Sequence, residues 1–178
     1  MKFTPTPIQG AFLIEPELKS DQRGFFARLF CEKEFGDQGL ETRFVQMNEA
    51  FNVRRGTLRG MHYQAAPDEE VKLVRCMQGA VYDVVLDMRR DSATFGKSFG
   101  AELSAENRRM MYIPRGCAHG YITLTDAAGL FYLVSTFYAA QSERGLRFDD
   151  PAFKIDWPLA PVEMSDKDRA WPAFGSRA

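Results

Sequence analysis

Histidine and cysteine are both scarce in this chain of 178 residues. The three cysteines are scattered and form no C-x-x-C pair, and the two histidines, His62 and His119, form no H-x-H or H-x-x-x-H pair. An odd number of scattered cysteines predicts reduced thiols, mostly packed in the interior. Metal sites usually need three or more converging ligands, often with two at close spacing. The sequence therefore favours neither a disulfide framework nor a bound metal.

An excess of charge and long apolar runs are also lacking. The chain has 23 Lys and Arg residues against 24 Asp and Glu residues, which gives a formal net charge of −1. No overall field draws such a chain to nucleic acid or to an acidic membrane surface. No apolar run approaches the roughly 20 residues of a membrane span, and residues 1–21 lack the order of a signal peptide. We expect a cytoplasmic protein with no nucleic-acid or membrane partner.

Several catalytic motifs are missing. The chain has no G-x-S-x-G nucleophile elbow, no phosphate-binding loop and no dinucleotide fingerprint. Cys117 lies two residues before His119, but nothing in the sequence around it indicates an activated thiolate. A serine or cysteine nucleophile is therefore disfavoured.

Short strand-like segments dominate what is present. Turn signals such as Arg55-Gly56 and Gln78-Gly79 separate them, and many short strands with frequent turns predict a sandwich or a barrel. The strands are expected at 11–18, 42–51, 72–77, 80–88, 110–114, 120–124 and 130–138, and short helices around 31–38, around 104–109 and from about Ser165. The composition shows no linker, so we expect a single domain over 1–178 that is all-β with a few short helices.

The segment 80–88 shows how polar groups could enter such a fold. At a period of two, Asp83 and Asp87 share one face with Val81 and Val85. Carboxylates between apolar neighbours indicate a partly buried polar cavity, whereas the simpler interpretation is exposure to water on a half-exposed strand. For Asp87 the simpler interpretation is favoured.

Four residues suit the removal of a proton next to a carbonyl group. His62 could be the base, Lys72 a cation beside the enolate, Tyr132 a phenolic acid, and Asp168 the carboxylate that orients the imidazole. Each has an ordinary alternative: a core histidine, a lysine on an edge strand, a packed aromatic and, for Asp168, a helix capping box that begins at Ser165. Taken one by one, these alternatives are stronger than the catalytic interpretation.

A series of motifs in order changes this balance. These are DQRGFF (21–26), FVQMN (44–48), RGTLRGMHYQ (55–64), KLVRCMQGAVYDVVLDMR (72–89), SATFGK (92–97), ELSAENRRMMYIPRGCAHGY (102–121), FDDPAFKIDWP (148–158) and SDKDR (165–169). Together they resemble the dTDP-4-dehydrorhamnose 3,5-epimerase family of deoxysugar-nucleotide biosynthesis. The similarity extends from about Asp21 to Arg169, and a string of spaced motifs is far more specific than any single one.

The resemblance implies a cupin-like jelly-roll β-sandwich that is usually a homodimer and works on a nucleotide-diphosphate sugar without metal or cofactor. It also implies that His62 is the general base, Asp168 its partner, Tyr132 the acid on the opposite face of the sugar, and Lys72 the cation near the keto oxygen. The implied pocket residues are Arg59, His119 and Asp83, and the implied nucleotide and diphosphate contacts are Arg23, Phe26, Gln46, Asn48 and Tyr138, with Arg23 and Phe26 coming from the neighbouring subunit.

Three other functions remain as alternatives. A related enzyme would epimerise only carbon 3 or carbon 5, on a different nucleotide sugar. A sugar-nucleotide-binding jelly roll would bind its ligand without any proton exchange. A metal-dependent cupin oxygenase or isomerase would lose its activity to a chelator.

Overall fold

Two antiparallel β-sheets face each other in the computed structural model, which describes residues 1–175. The strands are β1 Lys2–Pro5, β2 Phe12–Glu15, β3 Leu18–Asp21, β4 Gly24–Ala27, β5 Gln46–Asn52, β6 Leu58–Gln64, β7 Lys72–Gln78, β8 Ala80–Asp87, β9 Ser98–Ser104, β10 Met110–Ile113, β11 Cys117–Thr123, β12 Ala128–Val134 and β13 Glu143–Gly145. The helices are α1 Glu32–Asp37 and α2 Asp166–Arg169, with a 3₁₀ turn at Ala140–Ser142.

The strand order explains how distant motifs meet. One sheet has six strands in the order β1-β2-β10-β7-β12-β5, and the other has five in the order β13-β6-β11-β8-β9. The hairpin β3–β4 forms a separate two-stranded sheet. Consecutive strands alternate between the two large sheets from β5 to β8 and again from β9 to β13. Residues far apart in the sequence therefore face one another across the sandwich.

The hydrophobic core lies between the facing sides of the sheets. Alternate residues of β7 and β8 supply much of it, for example Val74 and Cys76 from one sheet and Val81 and Val85 from the other. A second cluster packs Phe35 of α1 and its neighbours against the outer side of the six-stranded sheet. A third places Leu146 and Phe153 on the outer side of the five-stranded sheet.

Most of the predicted elements are present, with shifted ends. All seven expected strand segments contain a strand, and the first is interrupted at Pro16, beyond which β3 begins. The helices expected at 31–38 and after Ser165 correspond to α1 and α2. The predicted single domain over 1–178 stays a prediction, and residues 176–178 lie outside the described part of the chain.

The helix expected at 104–109 is absent, and this prediction was wrong. The segment forms a tight turn between β9 and β10 in which Ser104 and Asn107 each accept a backbone N–H from the other at 3.0 Å. Arg108 then takes a left-handed conformation with φ 58°. These local side-chain bonds compete with helical bonding, and the left-handed residue turns the chain toward the other sheet.

The preferred interpretation of Asp87 was also wrong, because this residue is fully buried. Its carboxylate accepts hydrogen bonds from the Arg89 guanidinium at 2.7 and 2.9 Å and from the hydroxyls of Ser92 and Thr94, both at 2.6 Å. Burial alone would raise the pKa of Asp87, but these bonds together lower it far below the usual range. The partners come from the loop after β8, which strand periodicity does not describe.

Replacing Asp87 with alanine is expected to lower the free energy of unfolding by about 3–5 kcal/mol, since Arg89 would keep a partly buried charge without its partner. Because the folded-state pKa is depressed, the contribution of Asp87 is present at neutral pH and is lost as the pH falls toward that pKa. Urea unfolding at pH 7 measures the change. Asp149→Ala is the matched control, because its pair with Arg147 is about half exposed and such pairs contribute at most about 1 kcal/mol. Equal midpoints for the two variants would contradict the prediction.

Candidate active site

Two adjoining cavities open between the sheets. The larger has a volume of about 460 Å³ and the smaller about 280 Å³, and both are lined by His62, Lys72 and Tyr132. His62 lies on β6 of the five-stranded sheet, whereas Lys72 and Tyr132 lie on β7 and β12 of the six-stranded sheet. The histidine and the phenol therefore belong to opposite walls of one site.

A close approach of β6 and β11 forms the histidine wall. Gly60 has φ 116°, and a Cβ atom built on it would lie only 2.5 Å from the Cα atom of Gly120. Only glycine fits such a contact in this conformation. Next to it, His62 and His119 are direct register partners, and a register shift follows His119. Both of the chain's histidines are thereby brought to one cavity.

His62 forms a hydrogen bond with the carboxylate of Asp168. The distance from Nε2 to Oδ1 is 2.5 Å, although the two residues lie 106 positions apart. Burial alone would raise the pKa of Asp168, but the bond from His62 and those from Ser165 and the Gly60 backbone lower it below its usual value. Asp168 is thus ionised at neutral pH and holds the Nε2 proton, and no group within residues 1–175 bonds Nδ1.

The capping interpretation of Asp168 is half confirmed. The Ser165 hydroxyl accepts the backbone N–H of Asp168 at 3.1 Å, so Ser165 does cap α2. Within residues 1–175 the Ser165 backbone N–H does not donate to the carboxylate, so the box is not completed, and the carboxylate bonds His62. The cap and the pairing with the histidine are compatible, since one uses the backbone and the other the side chain.

His119 makes a second bond of the same type. Its Nε2 lies 2.7 Å from Oδ2 of Asp83, a fully buried residue on the neighbouring strand β8. The interpretation of Asp83 as part of a buried polar site is therefore confirmed over exposure to water. The His119 side chain keeps about 10% of its surface exposed, toward the larger cavity.

Lys72 and Tyr132 form the opposite wall. Lys72 is not on an edge strand, because β7 lies between β10 and β12, and its ammonium pairs with Glu70 at 3.1 Å. Burial raises the pKa of Tyr132, and the charge of Glu70 raises it further against the opposing effect of Arg59. The Tyr132 phenol is therefore protonated at neutral pH and can donate a proton.

Arg59 extends the histidine wall. Its Nε donates to Asn52 Oδ1 at 2.8 Å, and the Asn52 amide in turn donates to the phenol oxygen of Tyr121. Burial raises the pKa of Tyr121 to about 12, so this phenol is neutral. The network holds the Arg59 guanidinium at the margin of the larger cavity. A guanidinium can donate two parallel hydrogen bonds to phosphate oxygens.

The smaller cavity contains the remaining predicted contacts from this chain. Gln46 and Asn48 on β5 line it together with Tyr138, whose backbone N–H donates to Gln46 Oε1 at 3.1 Å. The Tyr138 hydroxyl donates to Glu143 at 2.9 Å, and this bond raises the pKa of the phenol. Lys167 Nζ also donates to both Glu143 oxygens at 2.6 Å.

Arg23 and Phe26 are not part of either cavity in the single chain. They lie on and beside the β3–β4 hairpin, where Arg23 pairs with Asp21 at 2.6 Å and Phe26 is 63% exposed. Of the twelve predicted site residues, nine line the two cavities and Asp83 supports one of these nine from behind, so only these two stand apart.

The structure also shows where the cysteines and the possible metal ligands lie. Cys117 is buried and burial raises the pKa of its thiol to about 12, so it carries no reactive thiolate at neutral pH. The other cysteines are free as well, with Cys76 buried and Cys31 partly buried. In the part of the chain that the structure describes, no three His, Cys, Asp or Glu side chains gather as a metal site requires. No helix there is long and apolar enough to cross a membrane.

The model of the dTDP-4-dehydrorhamnose 3,5-epimerase family matches residues 5–176. The chain belongs to this family. A curated dTDP-4-dehydrorhamnose 3,5-epimerase from Methanothermobacter thermautotrophicus is 44% identical over 173 residues, which are 96% of this chain and 92% of that protein.

Two solved epimerase structures superpose closely on this chain. The dTDP-4-dehydrorhamnose 3,5-epimerase of Elizabethkingia anophelis has a TM-score of 0.95 at 40% identity and covers 99% of this chain and 98% of its own. The dTDP-6-deoxy-D-glucose-3,5-epimerase of Legionella pneumophila, solved with dTDP-4-keto-L-rhamnose, has a TM-score of 0.93 at 38% identity over 99% of this chain and 94% of that one. The expected cupin-like jelly roll is thereby confirmed.

This member of the epimerase family has site residues that sequence reasoning missed. They are Tyr121, Thr57, Glu70, Glu143, Glu163, Met164 and Lys167, all lining one of the cavities. Strand alternation could have found Tyr121, which lies two residues after His119 on β11. The others lie on loops and short elements, where no periodic signal exists.

Proposed function

We propose that this chain epimerises carbons 3 and 5 of a dTDP-linked 4-keto-6-deoxyhexose, in the biosynthesis of dTDP-rhamnose. Membership of the epimerase family supports the substrate class and the reaction. The observation that carries the mechanism is that His62 and Tyr132 line the same cavities from opposite sheets. Inversion of a carbon requires a base and an acid on opposite faces of the sugar ring, and these two walls supply them.

His62 removes the proton in this proposal. The keto group at carbon 4 acidifies the hydrogens on carbons 3 and 5, and Nδ1 is the imidazole nitrogen left free by the bond from Nε2 to Asp168. The ionised Asp168 fixes this tautomer and stabilises the imidazolium that forms. Two of the features a general base needs, a set orientation and a charged partner, are therefore present.

Lys72 stabilises the enolate that follows. Removal of the proton moves negative charge onto the keto oxygen, and the Lys72 ammonium on the opposite wall is the cation that meets it. One preorganised donor of this kind is typically worth roughly 3–4 kcal/mol of barrier. Tyr132 then returns a proton from its own wall, which inverts the carbon.

The nucleotide part of the substrate occupies the rest of the site. Arg59 offers its guanidinium to the diphosphate, and Gln46, Asn48 and the exposed ring of Tyr138 serve the nucleoside. Asp83 acts through His119 by holding its ring toward the cavity. An aromatic ring with an exposed face is suited to stacking on a base.

Incubation with dTDP-4-keto-6-deoxyglucose in heavy water tests the function directly. Mass spectrometry counts the deuterium atoms taken up and NMR locates them, and uptake at both carbon 3 and carbon 5 is expected. Uptake at one carbon would indicate a mono-epimerase instead. Binding of dTDP without any uptake would indicate a non-catalytic binding protein, and loss of activity with a chelator would indicate a metal-dependent cupin.

We further propose that the chain works as a homodimer in the cytoplasm. The outer side of the six-stranded sheet exposes Met47, Phe51 and Met77, and the neighbouring hairpin exposes Phe25 and Phe26. Exposed apolar patches often mark protein–protein interaction sites. Docked on a second copy, the hairpin would carry Arg23 and Phe26 into the partner's site. The three free cysteines agree with a reducing compartment.

A mixed dimer tests the contribution of Arg23 across the interface. Arg23→Ala and His62→Ala chains carrying different tags are coexpressed, and the mixed dimer is isolated with both tags. We expect each homodimer to be inactive and the mixed dimer to recover about half of the wild-type rate, because one of its two sites has an intact His62 and the partner's intact arginine. No recovery in a confirmed mixed dimer would show that Arg23 does not act on the neighbouring site.

A further inference from the structure

The hydrogen bond between His62 and Asp168 joins a sheet to a very short helix. His62 lies within the paired strand β6, whereas Asp168 lies on α2, which has four residues. A helix of this length is not stable by itself in water. Contacts from flanking residues must therefore hold α2 at the position where Asp168 meets the imidazole.

Trp171, two residues after α2, makes contacts of this kind. Its ring centre lies 6.1 Å from that of His62, with the planes at 64°, which is an edge-to-face arrangement. Lys167 of α2 lies over the same indole, with Nζ 5.8 Å from the ring centre. The indole thus touches both the imidazole and the helix that carries the carboxylate.

The indole also rests directly on the strand next to His62. A Cβ atom built on Gly145 would overlap the Trp171 ring. Gly145 belongs to β13, and its register partner on β6 is His62 itself. The absence of a side chain at position 145 therefore leaves the space that the indole fills.

We propose that Trp171 is a positioning residue for the His62–Asp168 pair. It anchors α2 to β13 and β6 and packs against the imidazole, so that the carboxylate and the base keep their alignment. The inference rests on the proposed function, because it takes His62 as the base. Trp171 lines neither of the two cavities that hold the predicted substrate contacts. Its loss should therefore slow proton abstraction and leave substrate binding intact.

Kinetics of Trp171→Ala give the main test. We expect kcat for deuterium uptake to fall roughly 10- to 100-fold, as displacement of a catalytic group by about 1 Å does, while KM and the Kd for dTDP stay near their wild-type values. Trp171→Phe keeps an aromatic ring against the imidazole and should recover most of the rate. Phe174→Ala is the matched control, because this ring lies in the same C-terminal segment but packs on Phe95 and Phe153. It should retain the normal rate.

Gly145→Ala tests the same contact from the other side. Gly145 has no left-handed backbone, so alanine suits the strand, and the three atoms nearest to its methyl group all belong to the indole. We expect this variant to lose rate as Trp171→Ala does. The double variant should be no slower than Trp171→Ala alone, because the obstruction is gone; such non-additivity is the signature of two residues in contact. Gly145→Ala also keeps the proposal testable if Trp171→Ala fails to fold.

Two results would overturn the inference. One is a wild-type kcat in folded Trp171→Ala, and the other is a loss confined to KM. Wild-type protein and His62→Ala are measured in parallel to separate this failure from a failure of the proposed function. If wild-type protein takes up no deuterium, the function is wrong. If wild-type protein takes it up, His62→Ala does not and Trp171→Ala does at the normal rate, only the role of Trp171 is wrong.

Discussion

His62→Ala should reduce deuterium uptake from heavy water by roughly 10²–10⁴-fold, the usual contribution of a general base. The reason is that no other group is arranged to replace it: the only other histidine, His119, is bonded through Nε2 to the buried Asp83. Uptake at both carbons should fall together, because one base serves both. Mass spectrometry of the sugar nucleotide over time measures the rate.

Binding measurements make the loss interpretable. The predicted nucleotide contacts on β5 and at Tyr138 do not depend on the imidazole, so the Kd for dTDP measured by calorimetry should stay close to that of wild-type protein. The thermal unfolding midpoint is a second control, because it shows whether the variant is still folded. His62 is partly exposed and lies in a cavity wall. Retained uptake in a clean preparation of the variant would remove His62 from the mechanism.

Tyr132→Phe should separate proton exchange from inversion. His62 and Lys72 remain, so a proton can still be removed and a deuteron returned from the same wall. Without the phenol, the proposed acid of the opposite wall is gone, and inversion should slow by roughly 10²–10⁴-fold. We therefore expect deuterium to enter at the carbons next to the keto group with retention of configuration, which is checked by comparing the NMR chemical shifts of the product with those of the starting sugar and of its epimers.

Tyr112→Phe is the matched control for this substitution. Its hydroxyl accepts the backbone N–H of Glu41 at 2.9 Å on the outer side of the six-stranded sheet, remote from both cavities. That variant should invert the sugar at the wild-type rate. If Tyr132→Phe inverted both carbons normally, the acid would have to be another group.

The sequence predicted the sheets well where alternation is regular. Segment 80–88 alternates and became β8, and its inner and outer residues lie in the expected clusters. The sequence did not predict β6, the strand that carries His62. The segment LRGMHYQ shows no clear alternation and has a glycine where the strand closely contacts β11. Strand propensity and hydrophobic periodicity describe single segments, whereas the need for glycine at position 60 comes from the neighbouring strand β11.

The site divides in a similar way. The motifs predicted catalytic roles for His62, Lys72, Tyr132 and Asp168, whereas reasoning on single residues favoured an ordinary explanation for each. Asp168 takes part in a helix cap and also pairs with His62. The sequence indicates the cap, but no local pattern indicates the pairing. Glu143, Lys167 and Trp171 were not found because loops and one-turn helices have no period to read.

What the sequence determined by itself was the class of fold, the absence of a disulfide framework and, through its ordered motifs, the family. These follow from composition, local periodicity and spaced residue identities, which all lie along the chain. The tertiary structure alone decided which residues meet: His62 with Asp168, His119 with Asp83, Asp87 with Arg89, and His62 with Tyr132 across one cavity from opposite sheets. The physical reason is that such contacts depend on how strands cross between sheets and on where buried charges find partners, and both are set by packing of the whole chain.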